Sequence, residues 1–296
     1  MNSSYLFANG LRMHYLRWKR EAGDQPVVLL HGLAANARYW EKVAPFLVSR
    51  GLAPLALDMR GHGLTDKPEA GYEFDSLHAD LIAFMDALTL EKPLLVGHAW
   101  GALTVLDYAA RQAVGPRSPA GIVLVDGGLY QLDDGPGATW EQVSQKFVPP
   151  ALDGTPLERF LEMLSSPSST TGNLWKLSDQ DIQIILSNYE VDEEERVSSR
   201  LSREHHMHLL KAMWEFKTYE RYGRVRCPVF IIPARKYGAT GEEAGGDLDL
   251  KEKGVARVQG LIRNLRVEWM ADTVHDVPLH RSEELANLIA DFAASL

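Results

Sequence analysis

The sequence predicts an α/β protein built on a doubly wound, mostly parallel sheet with a helical cap insertion, and three observations predict it. Short apolar runs alternate along most of the chain with helix-length amphipathic segments. The runs are nearly continuous rather than alternately polar and apolar, which suits strands covered by helices on both faces. One long stretch then breaks the alternation with helical patterning alone, and it is too long for a simple loop in a compact domain.

The first element is a hairpin. Residues 5–18 read as two short strands around Asn9-Gly10, a dipeptide suited to the positive φ angles of tight hairpin turns. Apolar runs follow at 27–30, 53–57, 93–96, 121–125, 229–232 and 265–270, each expected as a strand. Between them, helical spacing marks 39–49, 76–88, 102–112, 250–264 and 282–294. Such alternation places strands side by side in parallel through helical crossovers. From 130 to 222 there are amphipathic helical stretches separated by Pro, Gly and Ser, and no convincing strand. We therefore read 1–129 and 223–296 as the core domain and 130–222 as a helical cap. The cap carries Trp140, Phe147, Trp175, Tyr189, Trp214 and Phe216. Most of these form its own core, while others face the main domain, because so apolar a segment cannot stand free in water. The glycine-rich residues 238–246 are expected as a mobile surface loop.

Composition narrows the function. A net charge of −9 argues against the backbone of a nucleic acid or an anionic membrane as partner. The single cysteine, Cys227, allows no internal disulfide framework. It precedes Pro228 at the start of an apolar run and reads as a structural thiol, since no activating base can be assigned to it. The opening residues show no basic region followed by a long apolar stretch, so no signal peptide is expected. No apolar run approaches the roughly 20 residues of a membrane span. A cytoplasmic location is the expectation. Phosphate cradles, dinucleotide fingerprints and metal-ligand spacings are absent from the sequence, and it leaves the oligomeric state open.

The chemistry centres on Gly97-His98-Ala99-Trp100-Gly101, which follows the run 93–96 and opens a helix. A tight strand-to-helix turn lifts its central side chain above the strand ends, beside a helix N-terminus, and flanking glycines let backbones approach closely. This is the shape of a nucleophile elbow with alanine at the attacking position. His31-Gly32-Leu33, after the run 27–30, can point the Leu33 amide at the same place, opposite the Trp100 amide. Two such donors make an oxyanion hole. His31 is expected to hold that loop, and Asp58-Met59-Arg60-Gly61-His62-Gly63 to form a tight, internally bonded turn that includes His62. Of the ten histidines, His275 alone lies just past the last strand, on the sheet edge that carries the elbow. It can serve a hydroxyl at position 99 as general base and the leaving group as acid. His205, His206 and His208 do not share one helix face and read as a solvated or pocket-lining cluster rather than a metal site. The acid that orients His275 is expected from Asp126, in Val125-Asp126-Gly127-Gly128. Glu242 or Glu243 is the alternative, and a simple turn role for Asp126 stays open.

Together these motifs resemble the α/β-hydrolase superfamily over essentially the whole chain, in the order H-G, D-x-R-G-H-G, G-H-x-W-G, V-D-G-G and late histidine. The elbow is similar to that of capped serine esterases and lactonases, G-H-S-W-G. The resemblance implies serine at position 99, hydrolysing carboxylic esters or lactones with His275 and an acid and without metal or cofactor. Epoxide hydrolases and dehalogenases carry G-H-D-W-G instead. The loop His31-Gly32-Leu33-Ala34 lacks the proline those enzymes usually show after H-G, which favours serine. Alanine has no lone pair for attack, so covalent catalysis cannot proceed on this chain. Either Ala99 disarms a serine enzyme, or the protein is a natural non-catalytic ligand-binding member. Retention of His275 and Asp126 favours the first. The expected substrate is a medium-sized hydrophobic ester or lactone, held between cap and sheet by Trp100, Trp140, Trp175 and Trp214.

Overall fold

The computed structural model describes residues 1–19, 23–134, 137–165, 176–235 and 245–296. The chain opens with the hairpin β1 (Asn2–Ala8) and β2 (Leu11–Arg17), turning at Asn9 and Gly10, both with positive φ. The core continues with β3 (Gln25–Leu30), α1 (Ala44–Ser49), β4 (Leu52–Leu57), α2 (Phe74–Ala87), β5 (Leu94–His98), α3 (Trp100–Arg111) and β6 (Gly121–Val125). Then come α4 (Trp140–Lys146), β7 (Thr155–Pro156), α5 (Leu157–Ser165), α6 (Asp179–Leu186), β8 (Tyr189–Val191), β9 (Arg196–Ser199), α7 (Arg203–Glu215) and α8 (Thr218–Tyr222). The chain returns to the sheet through β10 (Val229–Ile232), α9 (Gly245–Gln259), β11 (Leu265–Val267), α10 (Val277–His280) and α11 (Ser282–Ala293).

The main sheet runs in the order β1-β2-β4-β3-β5-β6-β10-β11. β1, β2 and β4 pair antiparallel in turn, and every pairing from β4 to β11 is parallel. The near-continuous apolar runs are explained by two hydrophobic cores, one on each face. In β3, Val28 and Leu30 enter one core with Phe84 and Trp100, while Val27 and Leu29 enter the other with Trp40 and Ile289. All four are fully buried. Burying such a side chain contributes roughly 1.5–3 kcal/mol, so a polar residue anywhere in these strands costs heavily. α3 is buried along almost its whole length, which fixes the helix that begins at the elbow.

The structure differs from expectation at several places. The helix expected at 39–49 is a 3-10 turn, Ala37–Trp40, followed by α1, whose first turn contains Pro45; proline has no N–H to join the two. The strand expected at 265–270 stops at Val267, with a single bridge between Ala234 and Met270 beyond it. α9 ends five residues before the expected 264. The segment between β6 and β10 also contains strands. β7, β9 and β8 form a small antiparallel sheet. At two to four residues each they are too short to show a two-residue period in the sequence. Residues 238–244 of the glycine-rich stretch lie outside the described residues. No helix among the described residues is long and apolar enough to cross a membrane.

Candidate active site

β5 ends at His98 and α3 begins at Trp100, leaving Ala99 alone to turn the chain. It does so at φ 51°, ψ −112°, a conformation that costs a side-chain-bearing residue about 1–3 kcal/mol. Neighbouring glycines make the turn possible. A Cβ on Gly97 would lie 2.2 Å from the Gly101 carbonyl oxygen, and one on Gly101 would lie 2.5 Å from that of Leu30. A Cβ on Gly127 would sit 2.4 Å from the Ala99 oxygen. The Ala99 amide donates to the Val125 carbonyl at 3.0 Å, which ties the elbow to the end of β6.

Two backbone amides flank the elbow without an acceptor among the described residues: those of Leu33 and of Trp100. Both residues line the same cavity as Ala99. Gly32 brings the loop close, since a Cβ there would lie 3.3 Å from the Ala99 methyl. Ala34, next to Leu33, also has positive φ, and the turn closes with Ala35 N–H donating to Gly32 O at 3.2 Å. His31 braces this loop from below. Its Nε2 accepts from the Met59 amide at 3.1 Å and its Nδ1 lies 2.8 Å from Gly32 O. Burial holds its pKa below the ordinary value. His62 is likewise buried, with Nδ1 2.9 Å from Arg60 O inside the turn. The carboxylate of Asp58 organises that turn, accepting from the amides of Ala37 at 2.6 Å and Leu64 at 2.7 Å.

His275 and Asp126 meet across 149 residues of sequence, Nδ1 to Oδ2, at 2.6 Å. Asp126 follows β6 with φ 43°, a third strained non-glycine at this site. Burial alone would raise its pKa; the hydrogen bond and charge of His275, the Lys251 ammonium and the Ala234 amide outweigh that and hold it well below the usual range. The carboxylate is therefore ionised, so His275 Nδ1 carries the proton it donates. That leaves Nε2, which has no partner among the described residues, as the basic atom. Burial lowers the His275 pKa, but the bond to Asp126 and the charges of Asp126 and Asp276 outweigh it and the net displacement is upward. The Asp126 side chain is 0% exposed and that of His275 57%, open to the cavity it lines.

Three further residues position the pair. His98 donates from Nε2 to the His275 carbonyl at 2.8 Å, and burial, then the neighbouring His275, push its own pKa down to about 4. Tyr39 stacks on His98 with ring centroids 5.2 Å apart and donates its hydroxyl to Asp276. Lys251, from α9, lies 3.0 Å from Asp126 Oδ1 and 3.3 Å from Ala234 O. The sequence reading missed Lys251, because a lysine on a polar helix has no local mark of burial.

The cavity has a volume of about 890 Å³ and opens between these residues and the segment linking β6 to β10. Leu152, Phe160, Leu164, Leu177 and Ile185 form its roof. The structure thus brings together Ala99, His275, Asp126, Leu33 and Trp100. It does not bring Trp140 or Trp214 to the lining. These two face each other, centroids 6.3 Å apart, with the Lys211 ammonium 4.9 Å over Trp140. Both are partly buried, in the contact between α4 and α7. Trp175, Glu242 and Glu243 lie outside the described residues. His205 stacks on Tyr72, His206 bonds to Phe147 O at 3.0 Å, and no group of three metal-ligating side chains occurs among the described residues. Cys227 is half-buried, and burial pushes its thiol up to about 12.

Comparison with known proteins bears on the family and the fold. A non-heme chloroperoxidase of Streptomyces lividans is 34% identical over 116 residues, 39% of this chain and 42% of that protein. Epoxide hydrolase 3 of Siraitia grosvenorii is 40% identical over 98 residues, 32% of this chain and 30% of that protein. The chain thus spans less than half the length of these relatives. The crystal structure of E-2-(acetamidomethylene)succinate hydrolase superposes over 99% of both chains with a TM-score of 0.73 at 19% identity, a likeness of fold. The alpha/beta hydrolase fold profile matches residues 25–185, more than half of the chain. With its parallel sheet, elbow and late histidine, the protein belongs to the α/β-hydrolase family.

Proposed function

We propose that the cavity is the substrate site of a serine-type hydrolase acting on a medium-sized hydrophobic carboxylic ester or lactone, with alanine standing where the attacking hydroxyl belongs. One observation carries this reading: an ionised Asp126 holds His275 at 2.6 Å beside a cavity also lined by the strained Ala99 and by Leu33 and Trp100, whose amides have no acceptor among the described residues. In such a site a hydroxyl at position 99 attacks the carbonyl, His275 takes its proton, and the amides of Leu33 and Trp100 receive the oxyanion. His275 then returns the proton to the leaving alcohol. In a second half-reaction it takes a proton from water, which attacks the acyl group, before giving that proton back to the hydroxyl at position 99 as the acid departs. The apolar roof favours an ester without charge near the acyl group. The acid is Asp126, and the segment 130–222 serves as the cap.

Ala99→Ser tests this. Hydrolysis of p-nitrophenyl butyrate should rise at least about 1,000-fold over the present chain, and adding His275→Ala should abolish the gain. A second reading rests on the epoxide hydrolase among the relatives. If Ala99→Ser stays inert on esters and lactones while Ala99→Asp opens epoxides or displaces halide, the attacking group was aspartate. If neither variant turns over substrate while the present chain binds an apolar ester tightly, the protein is a binding member of its family.

A further inference from the structure

In a hydrolase of this design the basicity of the histidine is spent on one proton, that of the nucleophile's hydroxyl. Here the side chain at position 99 is a methyl group, which neither donates nor accepts. Nε2 of His275 keeps its Asp126 support yet has no partner among the described residues. Its ring lines the cavity together with Leu33 and Trp100, whose amides have no acceptor among the described residues. A base and a pair of oxyanion donors are the groups that remove a proton from carbon beside a carbonyl and receive the resulting charge.

From this juxtaposition we propose that the chain as it stands is a proton-abstraction site, in which His275 deprotonates an apolar carbonyl compound with an acidic α-carbon. The α C–H bond breaks and its proton passes to Nε2. The electron pair moves into a new C=C bond, and the carbonyl π pair settles on oxygen as an enolate facing the two amides. Return of the proton from the imidazolium to the same carbon completes exchange or racemisation, with no oxidant, metal or co-reactant. Asp126 balances the imidazolium formed midway. The inference does not depend on whether serine or aspartate ever occupied position 99.

The groups facing His275 fit this use. Asp126 from the end of β6 and Asp276 from its own loop favour the protonated ring, Lys251 from α9 opposes it, His98 at the end of β5 stays neutral, and Tyr39 is occupied by Asp276. The net effect raises the pKa of His275 above its ordinary value, which strengthens the neutral ring as a base. Activity should accordingly rise with pH as the imidazolium loses its proton, then level off.

The test uses the full chain with two probes. In 5-nitrobenzisoxazole, loss of the C3 proton forms the nitrile and breaks the N–O bond, leaving a coloured phenolate whose oxygen takes the electron pair. In phenylacetone, replacement of the benzylic protons in D2O is read by proton NMR. The expected result is at least about 100-fold acceleration over buffer of exchange in phenylacetone, the carbonyl probe, with faster opening of 5-nitrobenzisoxazole as a second reading of the base. His275→Ala and the non-basic His275→Gln should each return the rate to that of buffer, with thermal unfolding showing both variants folded. Buffer-level exchange of phenylacetone, or acceleration that survives His275→Gln, would overturn the proposal. Buffer-level rates here combined with ester hydrolysis by Ala99→Ser would sink this inference and leave the hydrolase reading standing. The opposite pair of results would do the reverse.

Discussion

The two walls of the cavity are built on different principles. On the sheet side, the Asp126 carboxylate is fully buried and held by short directional bonds, at 2.6 Å from His275, at 2.8 Å from the Ala234 amide and at 3.0 Å from Lys251. Backbone strain gathers there as well, with positive φ at Ala34, Ala99 and Asp126. On the roof side, Leu152, Phe160, Leu164 and Ile185 present hydrocarbon, while polar ties join the segment to the core at other residues. Lys42 reaches Asp181 at 2.8 Å, Asn36 reaches Ser187 at 2.9 Å, and Tyr222 reaches Gly128 O at 2.7 Å. The contrast teaches a division of labour. Chemistry demands atoms fixed within tenths of an ångström, which buried hydrogen bonds supply. Choice of substrate demands only matching shape and hydrophobicity, which loosely constrained side chains supply.

The comparison breaks most sharply at Asp126. In the Ala99→Ser background, Asp126→Asn keeps the size of the side chain but removes the charge that supports the imidazolium and holds the Nδ1–H tautomer. Turnover of p-nitrophenyl butyrate should fall about 10,000-fold with little change in KM. A fall below about tenfold would assign the orienting acid elsewhere and make Asp126 a turn residue.

The same contrast explains what could be read before the fold was seen. Elbow, H-G loop, Asp126 and His275 sit at strand ends, where the chain marks them with glycine and with abrupt changes of pattern, so the sheet side was legible. The roof was not. β7, β8 and β9 are too short for periodicity, and Trp140 and Trp214 look identical in sequence whether they face a ligand or each other. Lys251 failed for a third reason. Its burial comes from α9 packing over Asp126, a tertiary event that Leu250-Lys251-Glu252-Lys253 does not announce. The early end of β11 is of the same kind, since only strand pairing decides where a ladder stops.

Lys251 sharpens the comparison, because it is the sheet-side residue whose role is electrostatic. Its charge lowers the proton affinity of both Asp126 and His275. Removing that charge raises the His275 pKa further, so less of the neutral base is present on the acid side. In the Ala99→Ser background, Lys251→Met should move the rising limb of kcat/KM to higher pH, costing up to roughly tenfold near pH 6 and little near pH 9. Lys251→Arg, which keeps the charge, should restore the limb. A loss that is uniform across pH in both variants would mark Lys251 as packing alone.

The smallest effect is expected on the roof, and its form matters more than its size. Leu164 lines the cavity from α5 and is half-buried. Truncation to alanine removes about three carbons of apolar contact, only part of which a bound acyl chain covers. In the Ala99→Ser background, Leu164→Ala should therefore reduce kcat/KM for p-nitrophenyl octanoate by about threefold. For p-nitrophenyl acetate, whose acyl group is too short to reach the roof, it should leave kcat/KM unchanged. A sheet-side change such as Asp126→Asn should instead depress both esters by one factor, because the proton transfers it serves are the same for each. Equal losses on the two esters in Leu164→Ala would mean that the roof helps to hold the reacting atoms, and the division between the two walls would no longer hold.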